Sequence, residues 1–363
     1  MQFIDLKRQY YAYRKEIDRE IGEVLASSQY ILGEKVKILE EKLAFYAGVK
    51  YALGVSSGTD ALLIALMAKD VGYGDEIITT PFTFVATAEV ILLLGARPVF
   101  VDINEDTYNI DSSLIKAKIT AKTKGIIAVN IFGQCADFDE INNIAEENNL
   151  FVIEDAAQSF GAIYKGRRSC SLSDIACTSF FPAKPLGCYG DGGMIFTNDK
   201  NLYEKMKSIR VHGQGEDKYN NIRIGINGRL DTLQAAILLA KLKYFDEEVA
   251  KRQEIANYYN LKLKEHIAVP YIKECNKSVY AQYCLRSENR EDIINRLNKS
   301  RVPVAIYYPK PLHLMDAFKN LGYKPGDFPV AEKICREIFA IPMHAFLLKE
   351  EQDNIIGSIL GNR

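Results

Sequence analysis

The sequence has no long apolar run, no excess of charge of either sign and no paired-cysteine motif. Each absence removes a class of protein. Purely apolar stretches such as Val90–Leu94 fall far short of the roughly 20 residues that cross a bilayer. The first 20 residues are charged and amphipathic and contain no apolar segment, so they do not read as a signal peptide. Basic and acidic side chains number 46 and 47, for a formal charge of −1, which argues against a protein that coats nucleic acid. The seven cysteines, at 135, 170, 177, 188, 275, 284 and 335, form an odd set with no C-x-x-C pair and no clustered histidine. That pattern fits reduced thiols in a cytoplasm, with neither a disulfide framework nor a metal site. The expectation is a soluble cytoplasmic enzyme with no membrane or nucleic-acid partner.

What is present is ordinary globular composition. Of 363 residues, 48% are hydrophobic and 26% charged, enough to bury a large core and to form two domains. Strand-like runs are expected at 51–55, 76–79, 97–101, 125–132, 150–154, 175–180 and 193–197, alternating with helical patterns at 60–68, 84–94 and 139–148. Several strands are continuously apolar (GIIAVNIF, LFVIE), as strands buried on both faces of a mostly parallel sheet should be. This predicts an α/β layered domain over residues 1–245. One long helix is expected from about 231 to 260, apolar at its start and charged at its end, leading into a smaller α+β domain over 246–363.

Three segments carry chemistry. Ser56-Ser57-Gly58-Thr59-Asp60 joins a strand to a helix, and free amides at a helix start suit a phosphate. The same string would also serve as a plain helix cap. Asp155 closes the apolar strand LFVIE, where ligands of open α/β sheets gather. There it can pair with a heteroaromatic N–H⁺, or else cap a following helix. Lys184 lies between a strand and a glycine-rich turn with Pro182 and Pro185 around it. A desolvated lysine there has a lowered pKa and an amine able to condense with an aldehyde, whereas an ordinary loop lysine is solvated. The glycines do not form G-x-G-x-x-G after a strand, so a nicotinamide dehydrogenase is poorly supported. Jointly, a phosphate cradle, a carboxylate for a ring nitrogen and an imine-forming lysine are the parts of a pyridoxal phosphate site.

The strings GQCADFD, EDAAQSFGA, SFFPAKPLGCYGDGG and RLDTLQAAIL resemble the DegT/DnrJ/EryC1/StrS family of sugar aminotransferases across essentially the whole chain. The likeness is closest to enzymes that aminate C3 of UDP-linked 3-keto sugars. It implies a fold-type I architecture with a seven-stranded, mostly parallel sheet, and pyridoxal phosphate as cofactor, passing through pyridoxamine phosphate. It further implies L-glutamate as amino donor, and a product bound for a surface glycan or a lipid A-type lipid. By resemblance, Lys184 would bind the cofactor covalently and then move the substrate proton, and Asp155 would pair with the pyridinium nitrogen. Gln158 would meet the ring hydroxyl and Phe84 would stack on the ring. Gly58, Thr59 and Ser179 would hold the phosphate. Asn227 would reach that phosphate from the second subunit of a homodimer. Arg229 would face the anionic nucleotide sugar or stitch the dimer together, and Tyr308 would lie by the sugar.

His313 reads as a surface histidine. Related dehydratases carry a histidine where this chain has Lys184, which argues against that activity; a binding or regulatory protein of the same fold is the rival from another class. One departure concerns the substrate. Uronate-specific relatives have VHYPIPL where this chain has Ile306-Tyr307-Tyr308-Pro309-Lys310-Pro311-Leu312. Tyr307 thus replaces a cation near C6, and a sugar neutral at C6 competes with the uronate. Nucleotides other than UDP, and 4-keto sugars, are the further alternatives.

Overall fold

A computed structural model describes residues 1–217 and 219–361. Its strands are β1 (Tyr51–Val55), β2 (Glu76–Thr79), β3 (Arg97–Phe100), β4 (Thr123–Val129), β5 (Phe151–Asp155), β6 (Ile163–Tyr164), β7 (Arg167–Arg168), β8 (Ile175–Ser179), β9 (Gly193–Thr197), β10 (Asn276–Lys277), β11 (Tyr283–Arg286) and β12 (Ile338–Ile341). Seven of them form one sheet in the order β1-β9-β8-β5-β4-β2-β3. Strand β9 runs antiparallel to both neighbours and the remaining pairs are parallel. The architecture is therefore the expected mostly parallel α/β sheet.

Strand alternation divides the core in two. Ala52, Ile126, Ala128, Val152, Ala176 and Phe196 point to a layer with helices Glu34–Ala47, Phe138–Glu147 and Thr232–Leu242. Leu53, Ile127, Ile153, Ile175 and Ile195 point the other way, onto helices Gly58–Ala68 and Lys200–Ile209. Burying each of these larger side chains stabilises the fold by about 1.5–3 kcal/mol. Covering both faces is why the strand sequences are apolar throughout.

The C-terminal part builds its own core. Strands β11 and β12 pair antiparallel and pack with helices Phe245–Leu263, Arg290–Lys299 and Lys349–Leu360. A third cluster joins this unit to the main sheet, bringing Phe82, Phe100 and Phe132 against Leu312, Phe318 and Ile338. The Leu312 amide donates to the Pro81 carbonyl at 2.8 Å. That docking brings the 305–312 segment to the carboxyl ends of the parallel strands.

Three expectations need correction. The single helix expected over 231–260 is two helices, Thr232–Leu242 and Phe245–Leu263, broken where Tyr244 leaves helical geometry and its ring stacks on Tyr13 at 4.1 Å. The strand expected over 125–132 ends at Val129, because Phe132 turns left-handed with φ of 56°. The helix expected from Phe84 starts at Ala86, which leaves Phe84 in the preceding turn.

Candidate active site

The carboxyl ends of β1, β2, β4, β5 and β8 converge on one edge of the sheet, and the turns that follow them carry the site. Asp155, the last residue of β5, is buried. Its Oδ2 accepts from Thr87 Oγ1 at 2.8 Å and its Oδ1 from the Ala157 amide at 3.2 Å. Burial pushes its pKa up, against the stabilising pull of those two donors and of the Lys184 ammonium. A turn follows Asp155, so the carboxylate caps no helix. Thr87 in turn shares a hydrogen bond with Thr83 at 3.0 Å.

Lys184 stands in the loop after β8. Burial pushes its pKa down, and the Asp155 carboxylate pulls it back up. Its amine forms no hydrogen bond or ion pair with the described residues. An amine at such a site loses its proton more easily than a surface lysine and becomes nucleophilic.

The start of helix Gly58–Ala68 is tightly packed. Ser57 caps it by accepting from the Asp60 amide, as the capping reading expects. The amides of Gly58 and Thr59 have no acceptor among the described residues. A Cβ on Gly58 would lie 2.7 Å from the Ser179 Cβ, so only glycine lets the helix start approach the end of β8. Ser179 Oγ accepts from the Phe181 amide at 3.2 Å, which leaves its own hydrogen to donate.

Gln158 is oriented at both ends of its amide. Oε1 accepts from the Phe132 amide at 2.8 Å and Nε2 donates to the Tyr308 hydroxyl at 3.1 Å. Burial pushes the Tyr308 phenol up, so it is neutral and able to hydrogen-bond. Tyr307 is half-buried and meets Phe3 edge-on, with ring centroids 6.2 Å apart.

The structure thus brings Asp155, Lys184, Gln158, Tyr308, Gly58, Thr59 and Ser179 to one edge of the sheet. Phe84 and Asn227 are exposed instead, with Phe84 at 55% of its maximal accessibility. The Asn227 stretch is anchored by its backbone, since the Ser56 amide donates to the Gly228 carbonyl at 3.0 Å. Arg229 lines an open cleft of ≈ 520 Å³ with His212, Gln214, Asn221 and Arg223; no carboxylate lines it among the described residues. His313 is buried, with Nε2 3.1 Å from Glu332, and not at the surface as expected.

Sequence reasoning missed Thr87 and gave no role to Glu154. Glu154 points to the opposite face of the sheet from Asp155. It is fully buried and accepts from Asn130 Nδ2 (2.8 Å), Ser169 Oγ (2.7 Å) and the amides of Cys170 (2.8 Å) and Leu172 (3.2 Å). Burial pushes its pKa up against those four donors. The only sequence signal for it was an acid inside an otherwise apolar strand.

The pattern of the DegT/DnrJ/EryC1/StrS aminotransferase family matches residues 12–360. The chain is 53% identical to the UDP-2-acetamido-2-deoxy-3-oxo-D-glucuronate aminotransferase of Pseudomonas aeruginosa, over 96% of each sequence. It is 37% identical to the UDP-N-acetyl-3-dehydro-alpha-D-glucosamine 3-aminotransferase of Acidithiobacillus ferrooxidans, covering 98% of this chain and 96% of that one. A crystal structure of a DegT DnrJ EryC1 StrS aminotransferase from Brucella abortus superposes with a TM-score of 0.97 at 44% identity, covering 99% of both chains. The chain belongs to the DegT/DnrJ/EryC1/StrS aminotransferase family.

Proposed function

We propose that this aminotransferase uses pyridoxal phosphate to move the amino group of L-glutamate to C3 of a UDP-linked 2-acetamido-3-keto sugar. The observation that carries the reading is that Lys184, in the loop after β8, and buried Asp155, at the end of β5, stand at the same edge of the sheet, where burial lowers the pKa of the amine. The residues present fit the cofactor. The free amides of Gly58 and Thr59 and the Ser179 hydroxyl can take its phosphate. Asp155 has a lone pair left on each oxygen for the ring N–H⁺, and Gln158 keeps one amide hydrogen for the ring hydroxyl. The exposed face of Phe84 is open for stacking on the ring.

When bound, the cofactor supplies an aldehyde and an electron-withdrawing ring. The protein's own part is proton handling and placement. Lys184 would hold the cofactor aldehyde through its amine and, once free, could take a proton from the reacting carbon and return it. The donors of Thr87 and Ala157 favour the ionised form of Asp155 against the effect of burial, and that carboxylate would pair with the ring N–H⁺. The net exchange balances: glutamate would give up its amine and gain a carbonyl oxygen to leave as the 2-oxo acid, while C3 of the sugar would give up its carbonyl oxygen and gain the amine. The nucleotide sugar's anionic groups suit the cleft of Arg229 and Arg223.

A second copy of the chain completes the site in this reading, with Asn227 reaching the phosphate held by its neighbour. Exposed Phe181, Ile222 and Ile224 offer apolar surface for that partner. No helix among the described residues is long and apolar enough to cross a membrane.

The 53% identity to the Pseudomonas enzyme supports the uronate as substrate, and Tyr307 supports the sugar neutral at C6. The reverse half-reaction separates them. Holoenzyme is mixed separately with the UDP-linked 3-amino sugar and its uronate counterpart, and the visible band of the lysine-bound cofactor is followed. Loss of the band with one sugar alone identifies the substrate. Loss with glutamate and with neither sugar would sink the C3-UDP assignment. No visible band at all would sink the aminotransferase reading.

A further inference from the structure

Helix Thr232–Leu242 sends a lysine into the interior. Lys241 is only 2% exposed. Its Nζ donates to the Gly187 carbonyl at 2.6 Å and sits 4.2 Å from the centroid of the Tyr189 ring. No carboxylate lies within ion-pair distance of it among the described residues. Burial pushes its pKa down to about 8, while Glu248 and Cys188 pull it up. A charge buried against one carbonyl and one ring is costly to keep, so it needs an explanation.

The partners of Lys241 suggest one. Gly187 and Tyr189 belong to the loop that carries Lys184. That loop folds closely on itself: the Lys184 amide donates to the Phe181 carbonyl and the Cys188 amide to the Phe180 carbonyl, both at 2.8 Å. A Cβ on Gly187 would lie 2.4 Å from the Pro182 carbonyl oxygen. Gln234, seven residues before Lys241 and so on the same helix face, accepts from the Tyr189 amide at 2.9 Å. One helix therefore grips the far side of the loop at two points.

We propose that Lys241 is a positioning residue for Lys184. Its ammonium fixes the Gly187 carbonyl and the Tyr189 ring, and this holds the loop in the shape that presents the Lys184 amine beside Asp155. The inference rests on Lys184 being the cofactor-binding lysine.

The test is a double-mutant cycle of Lys241→Met with Lys184→Ala. It is read by the rate at which the visible band forms when pyridoxal phosphate is added to apoprotein, and by cofactor affinity from fluorescence quenching. With Lys184 present, Lys241→Met is expected to slow band formation and weaken affinity by about tenfold, the size of one charged hydrogen bond. In the Lys184→Ala background the affinity is expected to change by less than about twofold, because the loop no longer has a lysine to place. An equal loss in both backgrounds, or no loss in either, would overturn the proposal. If the methionine protein does not fold, judged by near-ultraviolet circular dichroism, Lys241→Gln takes its place; failure of both to fold also overturns it. A wild-type protein that forms no band would instead defeat the aminotransferase reading, leaving a result distinct from these.

Discussion

The two ends of the site are finished to different degrees by one chain. Around Asp155 almost every polar group is tied down: Thr87 and Ala157 hold the carboxylate, Gln158 is held by Phe132 and Tyr308, and Lys241 grips the lysine loop. Around Arg229 the reverse holds. The side chains of Asn227 and Arg229 make no hydrogen bond among the described residues, and the cleft stands open to solvent. The first region is fixed by contacts within a single chain. The second has donors waiting for acceptors, which matches the proposal that a nucleotide sugar and a second copy complete it.

The comparison breaks most visibly at Lys184. Lys184→Ala should lower turnover by about a thousandfold or more while the melting temperature stays near wild type, since covalent catalysis is lost and little packing is. Steady-state kinetics with glutamate and the keto sugar check this; turnover near the wild-type rate would remove Lys184 from the chemistry. Next in size, Asp155→Asn should cost about a hundredfold in kcat, as loss of one fixed charge at a reacting centre does.

Thr87→Val, smaller again, should cost about tenfold in cofactor affinity through Asp155. It also shifts the pH dependence. Burial raises the Asp155 pKa and the Thr87 hydroxyl lowers it. Without the hydroxyl the carboxylate protonates at higher pH, so the acid limb of the kcat profile moves upward. An unchanged acid limb would detach Thr87 from the carboxylate.

The smallest effect probes the open end. Lys184→Ala and Asn227→Ala chains, each inactive or impaired alone, should regain about a quarter of wild-type activity when equal amounts are refolded together, because half the dimers then hold one intact shared site. No recovery would mean that each chain uses its own Asn227.

Much of the sheet and of the loop around Lys184 is legible in the sequence. The run LFVIE announced a doubly covered strand with an acid at its carboxyl end, and Lys184 between two prolines announced a constrained loop. Those signals are local: a few adjacent residues contain them. Thr87 and Lys241 lack any such signal. Thr87 finds Asp155 across 68 residues and Lys241 finds Gly187 across 54, and a threonine or lysine inside a helix reads as unremarkable without its partner. The break after Leu242 was hidden for the same reason, since it depends on Tyr244 meeting Tyr13 from the other end of the chain. His313 looked like surface because the glutamate beside it lies 19 residues on.

Strand β5 ends in two acids that face opposite ways, and this has a consequence for faulty copies of the protein. A slip of one residue in pairing would turn Glu154 toward the candidate site and Asp155 away from it. It would also leave the amides of Cys170 and Leu172 without their acceptor in the dry interior. A misaligned chain would therefore be less stable than the native one and could not persist as an equally stable, inactive alternative.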